Sequence, residues 1–214
     1  NMLRIFCNFA ATMNYLTLKS PCEAIFKEKM SKFLAFAHPA CNADEAKAVI
    51  AEYGRRYHDA RHVCWAYMLG AGRTDFLSSD NGEPSGTAGK PILGQINSFG
   101  LTDVVIVVVR YFGGIKLGTS GLIAAYRQAA RDVIEAGEII ELSEMATVTF
   151  TFPYLAMNDV MRLTKGADVS VVNQQFDNVC SMTLSCKLDD RPALCARLTD
   201  IDGVSLAEDS QDAM

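Results

Sequence analysis

From Phe33 to Ala37 the chain is apolar without a break (FLAFA), and His38-Pro39 closes the run, the pattern of a strand and its stop. Asn42 followed by Glu45 forms a capping box, after which Ala46, Val49, Ile50, Tyr53 and Tyr57 recur at helical spacing. This predicts an amphipathic helix ending near Tyr57. Val63, Trp65, Tyr67 and Leu69 then alternate with His62, Cys64, Ala66 and Met68, which predicts a second strand. The stretch from Gly70 to about Lys90 is polar and glycine-rich and reads as a loop. Six consecutive β-branched residues, Val104 to Val109, suit a strand buried on both faces. Leu122, Tyr126, Ala129 and Val133 place a helix from about Thr119 to Ala136, with Gly137 as its stop.

The texture changes at Ile139. Val148, Phe150 and Phe152 alternate with Thr147, Thr149 and Thr151, and a helical stretch follows from Tyr154 to Lys165. Asp168 to Gln174 and Val179 to Lys187 read as a strand pair. Pro192 suits the first turn of a helix holding Leu194, Cys195 and Leu198, and Gly203 to Leu206 makes a last short strand. The order βαββαβ within roughly 65 residues is a ferredoxin-like pattern. The expectation is an α+β chain of two domains, residues 14–138 and 139–214. Residues 1–12 stand outside the fold argument, because Asn1 is no initiator and Met13 offers a start.

Composition narrows the class. Half of the 214 residues are hydrophobic and 21% are charged, which is globular and too apolar for disorder. No apolar run approaches the roughly 18–20 residues of a membrane span. The segment Leu3 to Ala11 is short and broken by Arg4 and Asn8, which argues against a secretion signal. Seven cysteines form no C-x-x-C pair, and reduced thiols in a cytoplasmic protein explain them best.

The formal charge of −5 argues against a non-specific nucleic-acid binder, but it is unevenly spread. Up to Arg131 there are 15 basic and 10 acidic residues; beyond it there are 5 and 15. Residues 86–131 hold Lys90, Arg110, Lys116, Arg127 and Arg131 against Asp103 alone, a local balance of +4. If the fold gathers these cations, they form a basic groove for phosphate, including a nucleic-acid backbone.

Two glycine clusters are candidates for such a site. The loop Ser79 to Pro91 resembles a phosphate loop in composition but not in spacing, since Pro84 and Pro91 occupy positions where Walker A needs glycine and a hydroxyl. Gly113 to Gly121 sits between a buried strand and a helix, where unpaired amides favour anions. Ile115 breaks a dinucleotide-type match there, and tight turns alone would also explain the glycines. Tyr111 and Phe112 offer ring faces for stacking, or core packing. Asp80 and Glu83 are candidate bases or metal ligands, or simply capping and solvated groups. His58 and His62 have metal-pair spacing, but the helix ends before them, so neither a metal nor a cofactor is expected.

The stretch from Asp80 to Leu93 (DNGEPSGTAGKPIL), followed by Val109 to Leu122 (VRYFGGIKLGTSGL), resembles the signature of the IMPACT/YigZ family in its bacterial branch. Asp59 to Cys64 (DARHVC) resembles its upstream element, and the likeness spans about residues 20–137. Asn81, where the family usually has a second acid, and Ser120, where glycine is common, depart from the pattern. The resemblance implies a first domain folded like the second domain of ribosomal small-subunit protein five, then an elongation factor G-like ferredoxin-like domain. It implies no established enzymatic reaction. The eukaryotic branch regulates translation under stress through a different appended domain, so its partner does not carry over.

These readings predict a cytoplasmic regulator, related to translation or stress, that binds RNA or the ribosome. The expected ligand-binding residues are Arg61, Ser85, Thr87, Lys90, Arg110, Gly113, Gly114, Lys116, Gly118 and Arg127. Two alternatives stand beside it: a small hydrolase or transferase acting on a phosphorylated metabolite with Asp80 or Glu83 as its base, and a module recognising a protein of the translation machinery.

Overall fold

The computed structural model describes residues 14–166, 168–177 and 179–207. They form two compact units, residues 14–142 and 143–207.

The first unit is built on β1 (Asn14–Leu18), β2 (Cys22–Glu28), β3 (Ser31–Pro39), α1 (Ala43–Arg56), β4 (His62–Leu69), β5 (Asp75–Ser79), α2 (Gly89–Ser98), β6 (Val104–Tyr111), α3 (Gly118–Ala136) and β7 (Ile139–Ser143). Five strands make one antiparallel sheet in the order β2-β3-β6-β4-β5, while β1 and β7 pair separately. β6 lies at the centre, which explains its unbroken β-branched run. Val104, Ile106 and Val108 pack with Ile92 and Ile96 of α2 and Tyr126 and Val133 of α3, whereas Val105, Val107 and Val109 pack with Ala46 and Tyr53 of α1. Helices thus cover both sheet faces, and each face needs its own apolar set. β3 and β4 divide in the same way: Phe33, Ala35, Cys64 and Ala66 face α2 and α3, and Leu34, Phe36, Val63 and Tyr67 face α1.

The capping-box-like start of α1 forms, with the Glu45 carboxylate reaching the amide one residue before the Asn42 cap. Glu45 N donates to Asn42 Oδ1 at 2.9 Å, and the Glu45 carboxylate accepts from Cys41 N at 2.8 Å. The predicted loop between Gly70 and Lys90 is shorter than expected, because it contains β5 at the sheet edge and ends in α2.

The second unit holds β8 (Met145–Phe152), α4 (Met157–Gly166), β9 (Val169–Phe176), β10 (Cys180–Lys187), α5 (Arg191–Thr199) and β11 (Ser205–Leu206). Its strands form one antiparallel sheet in the order β11-β8-β10-β9, so the expected βαββαβ order is present and β9 is an edge. Val148, Phe150, Phe152, Cys180, Met182 and Leu184 point to one face and pack under Val160 and Leu163 of α4 and Leu194 and Leu198 of α5. The alternating Thr147, Thr149, Thr183 and Ser185 take the other face, where the Thr149 and Thr183 hydroxyls lie 3.0 Å apart. Among the described residues, Cys22, Cys41, Cys64, Cys180, Cys186 and Cys195 are free thiols, and no helix is long and apolar enough to cross a membrane.

Candidate functional site

β6 ends at Tyr111, and the chain turns through Phe112–Leu117 into α3. Gly113 is required here by close approach: a Cβ on it would stand 2.0 Å from the carbonyl carbon of Met30, in the turn joining β2 to β3. Gly114 and Gly118 have φ of +88° and +72°, which leave room for few other residues. The first turn of α3 contains no acidic residue, and no side chain caps it from Leu117. Its free amides carry partial positive charge.

This turn forms one wall of a cavity of about 420 Å³ in the first unit. Arg61 and His62 line it at the start of β4, Gly82, Glu83 and Pro84 in the glycine loop, Arg110 and Phe112 at the end of β6, and Lys116 to Thr119 with Leu122 at the start of α3.

Glu83 and Arg110 are its most buried polar members, with side chains 3% and 7% exposed. Arg110 Nη1 donates to Glu83 Oε1 at 2.7 Å, and the Tyr126 hydroxyl donates to the same oxygen at 2.8 Å. The guanidinium also lies over the rings of Phe33 and Phe112, at 5.6 and 5.7 Å from their centres. Its Nε is buried and, among the described residues, has no hydrogen-bond partner. Behind Tyr126, the Cys64 thiol donates to the Asp80 carbonyl at 2.8 Å and lies 3.4 Å from the Tyr126 hydroxyl. Burial pushes the Cys64 thiol up to about 12, and burial also raises Tyr126, helped by its neighbours Cys64 and Glu83. Both therefore keep their protons, and Cys64 is a packed thiol rather than a nucleophile.

Asp80 organises the loop from within. Burial alone would raise its pKa, but the amides of Gly86, Ala88 and Gly89, donating at 2.7, 2.9 and 2.8 Å, together with the charge of Lys90, hold it below the ordinary value. It thereby caps the start of α2, where Ala88 supplies no cap of its own. Asn81 Nδ2 donates to the Val63 carbonyl at 2.9 Å, a bond that an aspartate would not make, and its own carbonyl accepts from His62 Nδ1 at 3.0 Å. The Thr87 hydroxyl, buried, donates to the Pro84 carbonyl at 2.6 Å, while Ser85 is exposed.

The expected ligand residues therefore divide. Arg61, Arg110, Lys116 and Gly118 share the cavity with Glu83. Lys90 and Arg127 line a different one, of about 450 Å³, with Gly86, Pro91, Gln95 and Ile123 between α2 and α3. Asp80, Thr87, Gly113 and Gly114 shape the loops that carry these walls. The local +4 is reduced by pairing, since Arg110 meets Glu83 and Arg131 meets Glu135 at 2.7 Å. Among the described residues, Arg61, Lys90, Lys116 and Arg127 have no ion-pair partner, and no three His, Cys, Asp or Glu side chains are grouped to hold a metal.

Tyr126, which bonds Glu83, and His62, which lines the cavity, stand out in the sequence for other reasons and not as site members. Tyr126 reads as a core helix position, and its signal is that a buried tyrosine hydroxyl requires a partner. His62 reads as a strand residue, its metal-pair spacing with His58 being set aside because the helix ends first, and nothing in that spacing reveals the contact with Asn81.

Residues 29–134, which include the whole cavity, match the Impact N-terminal domain family. An IMPACT family member from Haemophilus influenzae is 32% identical over 191 residues, which cover 87% of this chain and 91% of that protein. The chain belongs to the IMPACT family. The IMPACT family member YigZ of Escherichia coli is 28% identical over 90% of this chain and 96% of its own length, so the likeness to relatives extends beyond the first unit. A crystal structure described only as that of a hypothetical protein is 26% identical, with a TM-score of 0.74 over 94% of this chain and all of that one. Within this IMPACT chain the cavity draws on all three signature segments, through Arg61, Glu83 and Lys116.

Proposed function

We propose that this IMPACT family member is a cytoplasmic, non-enzymatic regulator of translation or stress that holds a phosphate-bearing partner, RNA alone or within the ribosome, in the first-unit cavity. One observation carries the reading: Arg61, Lys116 and the uncapped first turn of α3 line the same cavity. Lysine, arginine and helix amides are the groups that hold phosphate. Lys90, at the start of α2, and Arg127, midway along α3, line a second cavity and add cations for a polyanion.

The hydrolase reading draws less support. Both Asp80 oxygens are committed to loop amides, and one Glu83 oxygen is committed to Arg110 and Tyr126. Groups so fixed serve architecture better than proton transfer.

The test is fluorescence anisotropy of a labelled single-stranded RNA with the full chain. The double substitution Arg61→Ala and Lys116→Ala is expected to weaken binding at least tenfold. Unchanged affinity, or no binding by the unsubstituted protein, overturns the proposal.

A further inference from the structure

We propose that the first-unit cavity takes a single nucleoside 5′-phosphate unit, phosphate outward at the start of α3 and nucleoside inward against Glu83. The inference rests on the phosphate-binding reading above and adds what must lie behind the phosphate.

The size fits one nucleotide. About 420 Å³ is at the small end of the range of roughly 300–1,000 Å³ for small-molecule sites.

Charge sets the orientation. Arg61, Lys116 and the α3 amides supply cations and donors, whereas Glu83 contributes a carboxylate that is 3% exposed. A phosphate against that carboxylate would be repelled. Glu83 acts as an acceptor here, taking hydrogen bonds from Arg110 and Tyr126, so a group that reaches it is expected to donate, as base N–H groups and ribose hydroxyls do. Oε1 already accepts from Arg110 and Tyr126; among the described residues Oε2 accepts from none, yet it is not sealed off as an unpartnered atom. Arg110, 7% exposed, lines the same cavity, and its Nε, itself sealed from solvent, has no hydrogen-bond partner among the described residues.

Phe112 supplies the third element. It is 53% exposed although it lines the cavity, and Arg110 backs its ring at 5.7 Å. An exposed ring beside cations is a platform for a base. Inorganic phosphate would use the outer groups alone, whereas a nucleotide uses all three.

Isothermal titration of the full chain with AMP, GMP, CMP, UMP, ribose 5-phosphate and inorganic phosphate tests this. At least one nucleotide is expected to bind ten or more times tighter than inorganic phosphate, and Phe112→Ala, at an exposed position, is expected to remove most of that difference. Equal affinity for all six, or a preference indifferent to Phe112→Ala, overturns it. Two RNA arms identify the source of the ligand: tighter binding of a 5′-phosphorylated oligonucleotide than of its 5′-hydroxyl form supports an RNA end, and mononucleotide binding without that preference supports a free nucleotide. RNA binding that mononucleotides do not compete, with no 5′-phosphate preference, overturns this inference alone. Mononucleotide binding without any RNA binding overturns the RNA reading alone.

Discussion

Arg110 and Glu83, 27 residues apart, meet at 2.7 Å where the end of the central strand touches the glycine loop. Both are buried, so removing either leaves the other charge without compensation, at a cost of about 3–5 kcal/mol. Glu83→Leu and Arg110→Met should each destabilise the chain by about that much in urea unfolding. The double variant should cost clearly less than their sum, because no unpaired charge remains. Simple additivity would show that the two act independently.

Asp80 accepts three loop amides, and hydrogen bonds to a charged group contribute about 1.5–3 kcal/mol. Asp80→Ala should lose at least one such increment and speed amide exchange at Gly86, Ala88 and Gly89. The pKa of Asp80 is lower in the folded chain than its ordinary value of 3.8, so the unfolded chain binds the proton more readily. This stability is present above the ordinary value and is lost as pH falls through the folded one. Asp80→Asn should flatten the acid limb of a Tm-against-pH curve, and an unchanged limb would contradict the assignment.

His38 has the opposite chemistry but the same slope. Burial lowers its pKa below 6.5, against a smaller upward pull from Glu52, and its Nε2 lies 2.8 Å from the Tyr53 hydroxyl. The unfolded chain again binds protons first. Stability should be complete above about pH 6.5 and fall as His38 is forced to charge below it. Thermal unfolding of His38→Gln between about pH 7 and 5 should show a shallower decline than the unsubstituted protein.

Neighbouring glycines should respond differently to alanine. At Gly113 a Cβ would overlap the Met30 backbone, so the turn between β2 and β3 must move. At Gly114 space is free and only the φ of +88° resists. Gly114→Ala should cost on the order of 1 kcal/mol and Gly113→Ala several times more, as read from denaturant midpoints. Equal losses would show that the close approach to Met30 does not govern the position.

The parts of the fold that local pattern reveals are those whose stabilisation is local or two-sided. Asn42 and Glu45 announce α1 because the box closes within four residues. The run Val104–Val109 announces β6 because both faces are covered. β5 gives no such signal, since Asp75, Phe76 and Leu77 are exposed at an edge and need not alternate. α2 is hidden because Pro91 and Gly94 weaken its helical pattern and its cap comes from Asp80, eight and nine residues away. In the site, the turn from Lys116 into α3 can be anticipated from spacing. The pairing of Glu83 with Arg110 and Tyr126 joins residues 27 and 43 positions apart, and the separation of Lys90 and Arg127 into another cavity depends on how α2 and α3 pack.

The salt dependence of RNA binding tests the central claim most directly. In anisotropy titrations over a series of salt concentrations, log K should fall linearly with log salt, and Lys116→Ala should reduce the magnitude of the slope by about one, as loss of one phosphate contact requires. Binding that does not weaken with salt, or a slope that Lys116→Ala leaves unchanged, would contradict a phosphate site at the start of α3.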